Sequence, residues 1–311
     1  MRPATLFALA DKYGVPAMLE GDGSFATFMH LYGAARLLVR TPDDLTRLVR
    51  EIVEDAAADG AVWAEPAAWL TASQAARLRV RDTEATLELI LDVAGVAARD
   101  LGVGVGLMLS SVRTEPSDQA VELATLAARY AGRGVVALGL GGDEMRGPPE
   151  PYTEAFAIAR CAGLISAPHA GEHGGPNSVR GAVDALGARR IQHGVRSAEN
   201  PALMDLLAER GVTLDVCPTS NLQLGVVPSL AAHPLPQLLE AGVPVSLNAD
   251  DPLFFGSGLL AEYELARNVF GLDDVTLARI AADSMRASGA PESIKQQALA
   301  DITSWLNTGA S

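Results

Sequence analysis

The stretch "LISAPHAGEHGG", residues 164–175, joins a short apolar run to an imidazole, a carboxylate and a glycine-rich bend. Residues 164–168 have the composition of a buried strand. His169 ends this run, and Glu172 follows on the bend. Strands that carry reactive side chains at their carboxyl ends are typical of α/β proteins with parallel sheets. The number of similar runs along the chain therefore decides which α/β fold is expected.

Six further apolar runs share this pattern: residues 60–68, 103–111, 134–142, 190–194, 213–219 and 244–250. Alanine-rich helical patterns lie between most of them, and several of these end at glycine, as helices commonly do. The alternation predicts a parallel sheet covered by helices. Residues 1–59 contain no strand candidate and are predicted to form helices and loops, with Thr41 as the N-cap of one helix.

Polar residues concentrate directly after the predicted strands: Asp143, Glu144, His169, Glu172, His193, Thr219, Ser220, Asn221, Asp250 and Asp251. In a (β/α)₈ TIM barrel, the carboxyl ends of all strands meet at one face, which holds the active site. The clustering favours such a barrel over a doubly wound open sheet. Only seven strands are found, one fewer than closure needs, within a single predicted domain that spans residues 1–311.

Composition excludes several classes of partner. The formal net charge of −14 disfavours nucleic acid, because a polyanion would be repelled. No stretch approaches 18 apolar residues, so a membrane partner is not expected. The two cysteines, Cys161 and Cys217, lie in apolar runs outside any CxxC motif, and both are expected to be buried thiols. We therefore expect a cytoplasmic protein.

His169, His193 and Asp250 each end a different apolar run and should converge in a barrel. Two imidazoles and a carboxylate suit a borderline divalent metal such as zinc, with Glu172 beside it as a proton carrier. Each residue alone has a common structural explanation, such as a hydrogen-bonded histidine or a helix N-cap, but their coincidence favours a site.

The remaining three histidines are not predicted to belong to the site. His30 and His233 lie in a helical pattern and a loop without an acidic companion, so both are predicted to be structural or solvated. His173 is predicted to be a residue of the bend after His169.

The motifs "LGLGGDE", "PHAGE", "RIQHGV", "CPTSNLQLG" and "SLNADDPLFFG" resemble those of the adenosine deaminase family within the amidohydrolase superfamily. The resemblance covers nearly the whole chain. It implies a (β/α)₈ barrel that holds one zinc ion and hydrolytically deaminates a 6-aminopurine. By motif, His169 resembles the third histidine ligand of the metal, and Asp250 resembles the aspartate ligand.

The resemblance also implies roles for four other residues. Glu172 resembles the acid that protonates purine N1 and so makes C6 electrophilic. His193 resembles the residue that orients and deprotonates the zinc-bound water. Asp251 resembles the contact to purine N7, and Gly142 the backbone donor to N3.

One departure concerns the other two zinc ligands, which the family carries as His-x-His on the first strand. This chain has five histidines and no such motif, and it opens with a segment resembling the one after that strand. We expect either that the protein begins upstream of Met1, which we favour, or that it is a variant that lost the pair. In both cases the 311-residue chain should have a gapped or rearranged barrel, weak or absent zinc and little deaminase activity.

The expected substrate is a small purine nucleoside, either adenosine or a relative such as aminodeoxyfutalosine. "GGDE" argues mildly against free adenine. The alternative is a catalytically inactive barrel that binds a purine or a protein partner, because two zinc ligands are absent. A homodimer is compatible with the sequence, which does not give the oligomeric state.

Overall fold

Parallel strands alternate with helices in a computed structural model of the chain, which describes residues 1–308. The strands are β1 (Trp63–Ala64), β2 (Ala67–Ala68), β3 (Gly104–Val105), β4 (Leu107–Val112), β5 (Val135–Gly141), β6 (Ile165–Ser166), β7 (His169–Ala170), β8 (Arg190–His193), β9 (Thr213–Val216) and β10 (Val245–Leu247). All their pairings are parallel, as the alternation predicted.

Three of the predicted runs are each interrupted once, which gives six short strands. Pro66 separates β1 from β2, and Pro168 separates β6 from β7, since proline has no N–H for the sheet. Gly106 separates β3 from β4, and a Cβ there would lie 2.6 Å from the Trp63 ring. The ten strands therefore occupy seven positions, and these match the seven predicted runs.

The strand order is that of an incomplete (β/α)₈ barrel. One ladder runs β2-β4-β5-β6 and another β7-β8-β9-β10, and β6 and β7 belong to the same run. Within residues 1–308, no strand pairs β10 with β1 or β2, so the ring is open between the last position and the first. The prediction of a barrel with seven strands and a gap is confirmed.

Helices cover the outside of the sheet and form the amino-terminal segment. They are α1 (Pro3–Tyr13), α2 (Phe25–Leu37), α3 (Pro42–Ala58), α4 (Ala72–Leu78), α5 (Thr83–Leu101), α6 (Ser117–Arg129), α7 (Thr153–Cys161), α8 (Pro176–Leu186), α9 (Pro201–Arg210), α10 (Pro218–Gln223), α11 (Leu235–Glu240), α12 (Pro252–Phe255), α13 (Leu259–Asn268), α14 (Asp274–Ala287) and α15 (Glu292–Asn307). Thr41 caps α3 as predicted, and Asp44 completes a capping box. No helix within residues 1–308 is both long and apolar enough to cross a membrane.

Two apolar cores lie between the helices and the sheet, one for each half of the barrel. The first surrounds β4 and β5 and includes Leu109, Leu138 and Phe156. The second surrounds β8, β9 and β10 and includes Ile191, Leu214 and Val245. These cores hold the strand ends at fixed positions, and that arrangement determines the geometry of the site.

The prediction that both cysteines are buried is half wrong. Cys217 is buried after β9, but Cys161 is exposed. The buried side of α7 is formed by Ala155, Phe156 and Ala159. Cys161 follows Ala159 by two residues, which is a rotation of about 200° around a helix and points its side chain to solvent.

The open edge of the ring borders a cavity of about 210 Å³. Strand β2, helices α3 and α5, and residues 251–254 contribute its mostly apolar lining.

A network of charged and polar side chains crosses the barrel interior. The Arg190 guanidinium donates to Asp215 Oδ2 at 2.8 and 3.0 Å and also to Glu65, and the Ser246 hydroxyl donates to Asp215 Oδ1 at 2.6 Å. This network joins the first strand position to the last three.

Replacing Arg190 by lysine is expected to lower the free energy of unfolding by about 1.5–3 kcal/mol, because an ammonium cannot reproduce the forked contact with two buried carboxylates. Chemical denaturation monitored by circular dichroism measures the effect. The matched control is Arg180→Lys in the exposed pair with Asp184, where a change within about 0.5 kcal/mol is expected. Equal effects at both positions would contradict a stabilising role for the buried network.

Candidate active site

The carboxyl ends of the strands bring His169, Glu172, His193 and Asp250 together. The ring centroids of His169 and His193 are 5.3 Å apart. His193 Nε2 lies 3.7 Å from Glu172 Oε1 and 4.0 Å from Asp250 Oδ2. His193 is therefore at the centre of the cluster, and its Nε2 faces two carboxyl groups from different strand ends.

Two of these residues have left-handed backbone conformations. His193 has a φ of 65° and Asp250 a φ of 57°, and the third such non-glycine residue within residues 1–308 is Arg79. Side chains other than glycine rarely adopt this region, although Asp and His are among the less disfavoured. Strained backbone of this kind is often found at functional sites, where the surrounding packing maintains it.

A buried carboxylate, that of Glu144, shapes the glycine bend. It accepts backbone N–H groups from Gly171, from Glu172 at 3.1 Å and from Gly174 at 2.7 Å. A Cβ on Gly174 would lie 2.5 Å from this carboxylate, so a larger residue there would displace the carboxylate from the bend. The sequence placed Glu144 at a strand end without a role. In the structure it holds Glu172 in position.

The pKa of Glu144 is lowered despite its burial. Desolvation alone would raise it, but hydrogen bonds from Ser178 and from the Gly174 and Gly171 amides outweigh that effect. The carboxylate is therefore charged at neutral pH. Its contribution to stability is present above the ordinary carboxyl pKa and is lost as the pH falls through the lowered value.

The pKa of Glu172, unlike that of Glu144, is raised. Glu172 is 6% exposed. Burial raises the pKa of its carboxyl group to about 7. The nearby Asp250 and Glu144 carboxylates also raise this pKa, whereas His193 lowers it. A carboxyl group whose pKa is raised in this way can hold a proton near neutral pH, which suits a proton donor.

The predicted purine contacts, Gly142 and Asp251, follow two different strands, β5 and β10. Gly142 follows β5 with a φ of 87°, and a Cβ there would lie 2.9 Å from Val112 Cγ1, so glycine is required. Asp251 precedes α12, and burial beside Asp250 raises its pKa to about 7. Their roles toward a purine stay predictions.

His173 lies on the bend, as expected, and its ring packs 4.6 Å from that of Phe25. His30 is exposed in α2, which agrees with a solvated residue. His233 is buried and hydrogen-bonded to Asn221, which fits a structural histidine but gives it a partner that the sequence did not indicate.

The donor atoms suit a divalent metal. Ligand atoms of His193, Cys217 and Asp250 lie within 4.8 Å of one another. His169 Nδ1 is buried and has no hydrogen-bond partner within residues 1–308. Nitrogen, oxygen and sulfur donors of this kind are those that zinc takes. His169 and Asp250 as ligands stay predictions.

The sequence did not indicate Cys217 as a possible ligand, although "TLDVC" ends a strand run like the others. Burial raises the pKa of its thiol, which keeps it protonated and makes it a poorer ligand than the imidazoles and the carboxylate.

An open ring of parallel strands, with imidazoles and carboxylates at its carboxyl ends, defines a (β/α)₈ barrel of the amidohydrolase type. The sequence model of the family described as "Adenosine deaminase" matches residues 1–305. The chain therefore belongs to the adenosine deaminase family.

Several named relatives align with most of the chain. A putative adenosine/adenine deaminase of Streptomyces coelicolor is 46% identical over 98% of this chain and 93% of its own length. An adenine deaminase of Chelativorans sp. is 37% identical over 92% of this chain and 89% of its own. An aminodeoxyfutalosine deaminase of Streptomyces coelicolor is 37% identical over 85% of this chain and 68% of its own.

Solved structures have the same fold. Adenine deaminase from Arthrobacter aurescens superposes with a TM-score of 0.88 at 29% identity, covering 98% of this chain and 95% of its own. An amidohydrolase from Burkhoderia ambifaria with bound Zn also gives a TM-score of 0.88, at 27% identity, covering 99% of this chain and 87% of its own.

Proposed function

We propose that this protein hydrolytically deaminates an uncharged 6-aminopurine: water replaces the amino group with an oxo group and ammonia leaves. The observation that carries the proposal is Glu172, a buried carboxyl group with a pKa raised to about 7, held 3.7 Å from His193 Nε2. The names of the relatives agree with this reaction class.

Each of the strand-end residues has a separate role in the proposed reaction. His169 and Asp250 would hold a zinc ion, which when bound lowers the pKa of water to about 7 and so supplies a nucleophile. Protonated Glu172 gives its proton to the ring nitrogen N1, which draws electrons from C6. His193 orients the attacking oxygen, and Asp251 and the Gly142 amide position the purine.

The charges around the site support an uncharged substrate. Glu144, Glu172, Asp250 and Asp251 surround it, and the nearest guanidinium groups are already engaged. Arg113 donates to the carbonyl oxygens of Gly147 and His169, and Arg196 donates to Glu199 and to the His173 carbonyl oxygen. A nucleotide phosphate would meet these carboxylates, and neither Arg113 nor Arg196 is available to pair with it, so we expect a base or a nucleoside.

Two substrates of this class remain. We propose a nucleoside first, adenosine or a relative such as aminodeoxyfutalosine, because of "GGDE" after β5. Free adenine is the second candidate, since the relative from Chelativorans sp. and the structure from Arthrobacter aurescens carry that name. A cytoplasmic location, a single domain over residues 1–311 and a homodimer stay predictions. Residues 309–311 lie outside the described residues.

A panel of adenosine, adenine, aminodeoxyfutalosine and AMP tests the proposal on the full chain supplied with zinc. Turnover is followed by the purine absorbance change and by ammonia release. Because two of the family's zinc ligands are absent, we expect slow turnover of a base or a nucleoside, and at least about 10-fold lower kcat/KM for AMP, the scale of one lost favourable contact. AMP as the preferred substrate would overturn the uncharged class.

The alternative function is a catalytically inactive barrel that binds a purine or a protein partner, because the His-x-His pair of zinc ligands is absent from the sequence. Zinc analysis by mass spectrometry and calorimetric titration with adenosine distinguish the two functions. Purine binding without zinc or ammonia release would favour the inactive barrel, and turnover would exclude it.

A further inference from the structure

A chain of three buried side chains lies behind the site. His233, Asn221 and His193 are 4%, 0% and 2% exposed. His233 Nε2 is 3.2 Å from Asn221 Oδ1, and Asn221 Nδ2 is 3.2 Å from His193 Nδ1. No role described above uses Asn221 or His233.

The direction of the hydrogen bonds in this chain follows from one backbone amide. The N–H of Leu235 donates to His233 Nδ1 at 3.1 Å, so this nitrogen presents a lone pair. A neutral imidazole carries its one proton on the other nitrogen. His233 therefore has its proton on Nε2 and donates it to Asn221 Oδ1.

The orientation of the Asn221 amide follows next. Its oxygen is occupied by the His233 N–H, so the amide nitrogen faces His193. An amide NH₂ only donates, and His193 Nδ1 must therefore accept. Neutral His193 then carries its proton on Nε2, the nitrogen that faces Glu172 and Asp250.

We propose that Asn221 and His233 are positioning residues that hold His193 in its Nε2–H tautomer, so that His193 donates a hydrogen bond into the site and does not accept a proton from water. Family resemblance implied a residue that both orients and deprotonates water. With Nδ1 engaged by Asn221 and Nε2 already protonated, neutral His193 has no free lone pair. The water's proton goes instead to the Glu172 carboxylate, which is free to accept it once Glu172 has given its own proton to purine N1.

The tautomer itself stands on the hydrogen bonds, whereas its catalytic consequence rests on the proposed deamination. The two can fail separately, because the tautomer is measurable in the full chain without substrate. The protein labelled with [¹⁵N]histidine gives two-bond ¹H–¹⁵N correlation spectra, in which protonated and bare ring nitrogens have distinct shifts. Only five histidines contribute signals.

We expect His193 and His233 to show a bare Nδ1 and a protonated Nε2 above pH 8, while exposed His30 shows a tautomer mixture. Replacement of each histidine in turn assigns the signals. A protonated Nδ1 on either His193 or His233 in the native protein would overturn the proposal without any further variant.

Asn221→Asp reverses the hydrogen bond to His193 and leaves the one from His233 unchanged, because a carboxylate accepts from both neighbours. His193 should then carry its proton on Nδ1, and His233 should keep its own on Nε2. An unchanged His193 tautomer in a folded Asn221→Asp protein would contradict the proposal.

His233→Phe keeps a ring beside Phe270, whose centroid is 5.5 Å away, but releases the Asn221 amide to turn over. We expect a mixed His193 tautomer and about a 10–100-fold lower kcat with little change in KM, as for loss of a residue that orients a ligand. His233→Gln restores a donor to Asn221, and it should recover most of the His193 Nε2–H tautomer and most of the native kcat.

His30→Phe is the matched control and should change neither the tautomer nor the rate. A lower kcat in His233→Phe that His233→Gln does not restore would show a structural role only and overturn the proposal. Absence of turnover with every aminopurine would refute the proposed function, while the tautomer pattern would still support or overturn the positioning role.

Discussion

Glu172→Gln is expected to lower kcat for the aminopurine about 10²–10⁴-fold, the range that a positioned proton donor contributes. Glutamine keeps the size of the side chain and its place on the bend, but it has no acidic proton to give to the purine. Zinc content should stay unchanged, because Glu172 is not among the proposed ligands. Steady-state kinetics and metal analysis of the zinc-supplied protein measure both quantities.

Glu154→Gln is the control for this experiment, since Glu154 is an exposed glutamate on the outer helix α7. It should have the native rate. Near-native turnover by Glu172→Gln would remove Glu172 from its proposed role, and loss of zinc in that variant would show that the carboxylate holds the metal.

The two adjacent aspartates are expected to respond differently to the same change. Asp250→Asn should weaken zinc binding by more than about 100-fold, the upper range for losing a residue that merely orients a ligand. Asp251→Asn should leave zinc binding within a few-fold and raise KM about 10-fold or more, the effect of losing a hydrogen bond to a charged group. Competition with a chelating dye and steady-state kinetics measure the two effects.

Asparagine is the appropriate replacement at position 250, because it tolerates the left-handed backbone and can keep a contact with the Ser220 hydroxyl, which lies 2.6 Å from Asp250 Oδ2. A loss of zinc then reports on the charge and not on the backbone. Equal zinc loss in both variants would show that the pair is misassigned.

The sequence was sufficient to predict the seven strand positions, because each strand carries its own apolar composition and its own turn. It also placed His169, His193 and Asp250 at strand ends, since that position follows from local order. The contact of Glu144 with the bend spans 27 residues or more, and nothing in the local pattern of either segment indicates it.

The Asn221–His233 chain was missed for a similar reason. His233 lies in a loop without an acidic neighbour in sequence, which is the usual context of a solvated histidine. Its partner is a neutral amide 12 residues away, and the link is visible only when both side chains are placed. Cys161 was misassigned because an apolar run does not show which side of a helix each residue occupies.

The left-handed backbone at His193 and Asp250 has a consequence for how this protein can diverge. At most positions, the size and polarity of a new side chain decide whether the protein still folds. At these two positions it must also tolerate a positive φ, which strongly disfavours β-branched residues. A library that randomises the site should therefore recover few folded members at these codons, mostly with glycine, asparagine, aspartate or histidine. New activities on this scaffold would therefore arise more easily by changes at other positions of the site than by exchange of either residue.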